Sequence, residues 1–315
     1  METPHQEYHA KATNWRKLIQ ENQKTTRIIV GVFLLQYLLL GCIIDCIMEC
    51  GPTCSIGLFI AALIAIIYTK SHSASMLLGD LTLEPITKNS HHPAHKQAKH
   101  ILDELVIAAN IRYTPKLYIM ESNNMNALAT GWTEENACIV LTRPLVDNLP
   151  RDQLQAVIAH ELSHIRHQDI RLMLMLGVLS NIMVVALDYY SPIHNYKSPR
   201  KNRKSNHGNC GYIMLLRYVI PILNTVMLLF ISRTREYLAD AGAVQLTRNN
   251  QGLAQALLAI HAFNQPPSTE EEHKPYEAYR QASYLFQKDD SWHELWATHP
   301  SIKKRLKALG LEKNS

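Results

Sequence analysis

Four apolar runs organise the chain: 28–44, 55–69, 172–187 and 212–232. A helix rising 1.5 Å per residue needs roughly 17–25 apolar residues to cross a bilayer. The first and last runs meet that length. The second and third are marginal, and buried helices of a water-facing core are the alternative for those two. Between the pairs the period changes. Ile101 to Asn110 places apolar residues at helical spacing. Lys116 to Met120 and Ala137 to Thr142 read as strands, flanking Asn126-Ala127-Leu128-Ala129-Thr130-Gly131 and a turn near Thr133 to Asn136. That pattern predicts a small antiparallel sheet. Pro150 and Asp152 mark the start of the helix that follows. Further helices are expected from Leu253 to Phe263 and from Ile302 to Leu309, with a loop over 265–274.

This divides the chain into a polar segment 1–27, a membrane hairpin 28–69, a polar connector 70–100, a water-facing part 101–171, a second hairpin 172–231 and a last part 232–315. The connector holds Pro85, Pro93 and His91-His92-x-x-His95. A solvated linker explains it better than a metal site, because proline interrupts helical spacing. No internal repeat is found at solenoid periods.

Charge adds orientation. Lys11, Arg16, Lys17, Lys24 and Arg27 precede the first run, whereas the turn 45–54 contains only Asp45 and Glu49. The positive-inside rule therefore puts the N-terminus in the cytoplasm. No small-residue cleavage site follows the run, which favours a signal anchor. One segment conflicts: the loop 188–211 carries Lys197, Arg200, Lys201, Arg203 and Lys204. Either the first helices dominate orientation, or the last two runs form a hairpin that does not fully cross. The net charge of +5 points to a membrane-surface bias, with the basic loop as the lipid contact. No basic stripe interleaved with aromatics suggests nucleic acid. Cys42, Cys46, Cys50 and Cys54 repeat every four residues. They are small packing residues or, in an oxidising compartment, partners across the Gly51-Pro52 turn.

The chemistry concentrates in Val157-Ile158-Ala159-His160-Glu161-Leu162-Ser163-His164-Ile165. His160 and His164 are i, i+4, so a helix stacks both imidazoles on one face, the arrangement of two zinc ligands. Glu161 beside them is the candidate general base. A catalytic zinc needs a third protein ligand. The strongest candidate is Glu236 in Ser232-Arg233-Thr234-Arg235-Glu236-Tyr237-Leu238-Ala239-Asp240. If the last two runs pair antiparallel, His164 and Glu236 emerge on one side, roughly 7–12 Å beyond the apolar ends. Asp240, i+4 from Glu236, can orient a ligand histidine. The alternative is a surface helix with scattered charges.

HELSH followed by Arg166 and Asp169, a hydrophobic hairpin and SRTREYLADAGAVQLT resembles the HtpX-type membrane zinc metalloproteases, relatives of the CaaX prenyl proteases in the gluzincin group. The likeness extends to Asn126–Gly131 and to Thr298-His299-Pro300 with Arg305 and Leu309. Leu128 departs from the usual Phe, and Arg143-Pro144-Leu145 from the usual Gly-Leu pair. The resemblance implies one zinc per chain on His160, His164 and Glu236, with Glu161 as base and Asp240 behind the ligands. It also implies that Asn126–Gly131 pairs with substrate backbone. His299 and Arg235 are the candidates for oxyanion stabilisation. The expected fold is α+β, mostly α: a polytopic membrane protein with helical hairpins and a zincin-like catalytic domain. The expected function is an endopeptidase for membrane proteins, in a bacterial inner membrane and facing the cytoplasm. A non-catalytic zinc scaffold and a CaaX-type protease are the alternatives. The first has no use for Glu161, and the second is expected to carry more spans.

Overall fold

The computed structural model describes residues 15–48, 51–79, 81–87, 90–190, 210–264 and 300–310. Cys50, most of the basic loop and the segment 265–299, which includes the expected loop and His299, lie outside the described residues. Helices α1 (Trp15–Met48) and α2 (Thr53–Leu78) form the first hairpin. Strand β1 (Leu83–Ile86) and helix α3 (Pro93–Ala109) lead to β2 (Lys116–Met120), β3 (Ala127–Thr130) and β4 (Cys138–Thr142). Short α4 (Arg143–Asn148) precedes α5 (Arg151–His167), which is followed by α6 (Asp169–Tyr190). Helices α7 (Cys210–Thr247), α8 (Asn250–Phe263) and α9 (Ile302–Ala308) complete the described chain.

All four apolar runs fall in helices long and apolar enough to cross a membrane, including the two marginal ones. Leu39, Ile64, Ile67, Val185 and Leu223 point outward and exposed, a surface that acyl chains can cover. Phe33, Tyr37, Leu40 and Ile44 of α1 pack inward against Ala62 of α2 and Leu172, Leu176, Leu179 and Met183 of α6. The Tyr37 hydroxyl donates to the Leu179 carbonyl at 2.5 Å, so the buried phenol is satisfied. Asp45 is a cap made across the hairpin. Its carboxylate accepts from Cys54 N (2.7 Å), Ser55 N (3.0 Å) and Ser55 Oγ (2.7 Å) at the start of α2.

The sheet order is β1-β2-β4-β3, and the sheet is mixed. The sequence pattern predicts an antiparallel sheet; β3–β4 and the unforeseen β1–β2 pair are antiparallel, but β2–β4 is parallel with Leu117 opposite Ile139. β3 takes the edge and β4 folds back between it and β2, an order that strand patterning does not encode. The connector 70–100 is more structured than expected. α2 continues to Leu78, β1 adds a strand, and α3 begins at Pro93. Proline is favoured in a first helical turn, where no amide proton is needed. Pro85 sits on an edge strand, where its missing N–H is tolerated. His95 is buried.

The half that carries the HELSH motif is built around α5, which packs against α3, β3, α7 and α8. Every residue from Ala156 to Ser163 is buried. Gln168 adopts a left-handed conformation (φ 58) that ends α5 before α6 begins. The chain therefore turns between the histidine helix and the membrane helix. α7 is one helix shared by both halves, running through Pro221 toward α5. It approaches α5 closely at Gly242, where a Cβ would lie 2.5 Å from Ser163 Oγ.

Candidate active site

His160 and His164 stand one turn apart on α5, with rings edge to face and Nε2 atoms 3.2 Å apart. Glu236 reaches them from α7. Its Oε2 is 3.5 Å from His160 Nε2, and its Oε1 is 3.6 Å from His164 Nε2. These separations test whether a metal fits. Tetrahedral zinc with bonds of about 2.0–2.1 Å sets neighbouring donors about 3.4 Å apart. The two histidine nitrogens lie near that spacing, each faces one oxygen of the Glu236 carboxylate at 3.5–3.6 Å, and one ligand atom from each residue falls within 4.8 Å of the others.

The charges behind the donors point the same way. Asp240 Oδ1 lies 3.0 Å from His160 Nδ1. With the carboxylate facing Nδ1, a proton on that nitrogen leaves the Nε2 lone pair on the side of Glu236 and His164. Burial opposes a positive charge on His160, but the bonds to Asp240 and Glu236 outweigh it and push its pKa up to about 9. A divalent cation would have to displace that proton, since a ligand histidine binds metal in its neutral form. His160 and Glu236 are buried, and His164 is the partly open member.

Arg305 of α9 completes the arrangement and was noted in the sequence without a role. Its Nε donates to Asp240 Oδ2 at 2.8 Å and its Nη2 to Asp240 Oδ1 at 2.5 Å, while Nη1 lies 3.8 Å from Glu236 Oε2. Only 2 % of Arg305 is exposed, so the guanidinium and the carboxylate require each other. The signal was legible: Ile302, Arg305 and Leu309 share a face of the last helix, which puts a charge among apolar residues. Glu161 is buried on α5, and its charge reaches Arg305.

β3 lies at the sheet edge beside α5. Thr142 N donates to Asn126 O at 2.9 Å, and Asn126 N donates to Thr142 Oγ1 at 2.7 Å. That bonded pair sets the alternation of the antiparallel ladder. Leu128 and Thr130 turn their main-chain groups toward β4, and Ala127 and Ala129 turn theirs outward. Ala127 N is capped by Asn126 Oδ1 at 2.9 Å, which leaves Ala129 as the outward-facing residue of the strand. The Leu128 side chain packs with Met120, Val140, Leu78 and Leu81, whereas Ala127 and Ala129 join the core that contains α5. Gly131 ends the strand at φ 126, where a Cβ would lie 2.5 Å from Ala137 Cα. Asn264, also missed by sequence reasoning, clamps the entry to β3. Met125 N donates to its Oδ1 and its Nδ2 donates to Met125 O, both at 2.8 Å. Arg235 is buried, and its charge acts on Arg171 of α6.

The sequence model of peptidase family M48 matches residues 94–312. The chain belongs to this family. Among similar proteins, a "Protease HtpX homolog" of Helicobacter pylori (strain Shi470) is 33% identical over 318 residues, covering 94% of this chain and 98% of the relative. A protein of the same name from Dictyoglomus turgidum (strain DSM 6724 / Z-1310) is 31% identical, covering 95% of each. The crystal structure of S. mikatae Ste24p matches with a TM-score of 0.51 at 19% identity, over 94% of this chain and 65% of that one. The likeness to Ste24p establishes the fold. Family and relatives make this M48 chain a metallopeptidase of the HtpX type, and its apolar helices make it an integral membrane protein. The family implies a metal, and His160, His164 and Glu236 could hold it.

Proposed function

We propose that this M48 peptidase is a zinc-dependent endopeptidase that cleaves membrane proteins or their exposed segments. The service is quality control or stress response in a bacterial inner membrane, with the site on the cytoplasmic side. The observation that carries this reading is the convergence of His160, His164 and Glu236, whose ligand atoms lie within 4.8 Å of one another. One of its two helices is membrane-spanning, so clients in the membrane plane meet the site near the surface. The basic loop 188–211 serves as a further lipid contact.

His160, His164 and Glu236 would hold the zinc, which when bound would supply Lewis-acid chemistry to water and the scissile carbonyl. Glu161 takes the proton from the attacking water on its carboxylate and returns it to the leaving amine nitrogen. Asp240 holds His160 in the tautomer that presents Nε2, and Arg305 holds Asp240 charged. Ala129 offers its N–H and C=O to an extended substrate, a mode of binding that tolerates many side chains. His299 and Arg235 are assigned to the developing oxyanion. Replacing Glu161→Gln tests the reading. Metal content should stay at the wild-type level while cleavage of a membrane-protein substrate falls about 10²–10⁴-fold. Undiminished cleavage would remove Glu161 from the chemistry.

A further inference from the structure

The two ends of the edge strand β3 have different surroundings. At its start, Met125 is held by Asn264, the residue that closes α8 in the water-facing part. At its other end Gly131 turns the chain at φ 126, and Trp132 leaves the sheet. Ala127 and Ala129 belong to the core that contains α5, and Leu128 to the apolar cluster on the sheet's other face. Trp132 joins neither. It packs against the cluster formed by α1, α2 and α6, the membrane helices, and stays half-buried there. The turn beneath it is pinned. Thr133 N and Thr133 Oγ1 donate to Asn136 Oδ1 at 2.8 and 3.1 Å, and Gly131 approaches Ala137 too closely for a Cβ. The indole thus stands at the corner where the sheet edge meets the membrane helices.

Ala129, with its outward main-chain groups, lies three positions before Trp132. An extended chain rises about 3.3 Å per residue, so a segment paired at Ala129 meets the indole about 10 Å further along. Such a segment runs from water at the Asn264 end to the bilayer boundary at the Trp132 end. An aromatic ring at that boundary offers a broad apolar surface to whatever emerges from the hydrocarbon. We propose that Trp132 is a specificity-determining residue, which selects substrates by a large apolar side chain about three residues from the one paired with Ala129. The substrate class is the extended stretch that continues a transmembrane helix into water, because apolar side chains persist beside the span. Polar or glycine-rich linkers lack that side chain and are disfavoured. The assignment rests on the reading of β3 as the strand that pairs with substrate. It adds side-chain selection to a strand whose main-chain contacts tolerate many sequences.

The test moves one leucine. A model substrate carries a single apolar span followed by a segment of serine, glutamine and glycine, and each member of the series has leucine at one position of that segment. Full-length enzyme and substrate are reconstituted together in vesicles, and each cleavage rate is divided by that of the leucine-free parent. In wild type the ratio should rise about tenfold for leucine at one position, as expected when one large apolar side chain is partly buried. In Trp132→Ala the ratio should fall toward parity, whatever the absolute rates. Trp132→Phe keeps a ring on the membrane cluster and should keep an intermediate ratio, so it remains informative if Trp132→Ala fails to fold. An undiminished ratio in both variants would make Trp132 a packing residue and overturn the proposal. A wild-type enzyme indifferent to leucine at every position would do the same. Ala129→Pro separates the two readings, because it removes the outward N–H at an edge position that accommodates proline. It should slow cleavage of every member, the parent included. If it does so while the leucine ratio survives in Trp132→Ala, only the role of Trp132 falls. Wild-type rates in Ala129→Pro would show that β3 is not the substrate strand, and both readings would fall.

Discussion

Helices α5 and α6 are separated by a single residue, Gln168, yet they are built on opposite rules. In α5 the buried face includes polar side chains: His160, Glu161, Ser163 and His167 are all buried. In α6 the inward face is Leu172, Leu176, Leu179, Met183 and Leu187, and contact among apolar side chains holds it. A buried polar group needs a partner with defined geometry, whereas an apolar one needs only volume. α5 is therefore dependent on distant parts of the chain, namely Glu236 and Asp240 on α7 and Arg305 on α9. α6 is specified mainly by its own hydrophobicity. The site sits where tertiary contacts, rather than local sequence, decide the structure.

That contrast can be broken most severely at Arg305. Arg305→Met leaves Asp240 buried without its partner, and breaking such a pair costs about 3–5 kcal/mol. Thermal unfolding and metal content measured on one sample should both fall, and a variant with wild-type values would show that α5 does not depend on α9. Gly242→Val comes next. Its side chain must displace Ser163, and overpacking of this kind costs about 1–3 kcal/mol. Because the same approach of α7 to α5 positions Glu236, metal content should drop together with stability. Asn264→Ala removes two hydrogen bonds from Met125, at about 1 kcal/mol each. It should raise KM for extended peptides more than it changes kcat, with metal content unaffected, since it loosens β3 and leaves α5 in place. The smallest effect belongs to the membrane side. Gly31 on α1 has open space where a Cβ would be, so Gly31→Ala should be neutral or stabilising by about 0.5–1 kcal/mol. A destabilised Gly31→Ala protein would mean that this face is packed rather than lipid-facing.

What could be read from the sequence follows the same division. The membrane helices were legible because apolar length is a local property. The α5 motif and Glu236 were legible because i, i+4 spacing and antiparallel hairpin geometry translate directly into position. The turn at Gln168 was not, since glutamine carries no signal for a left-handed conformation. β1 was hidden in a polar connector because its exposed edge tolerates Glu84 and Pro85. The parallel β2–β4 pair was hidden because strand order is set by packing on α5. Asn264 acts across 139 residues of sequence and Arg305 across 65; the apolar face around Arg305 signals a buried charge, but neither residue's type names its partner.

The central claim is that α5 and α7 jointly hold one metal ion through His160, His164 and Glu236. Metal content per chain, determined by mass spectrometry on purified wild type and Glu236→Gln, tests it most directly. The account predicts one ion per chain in wild type and a several-fold loss in the variant. Equal stoichiometry in the two proteins would contradict it and place the third ligand elsewhere.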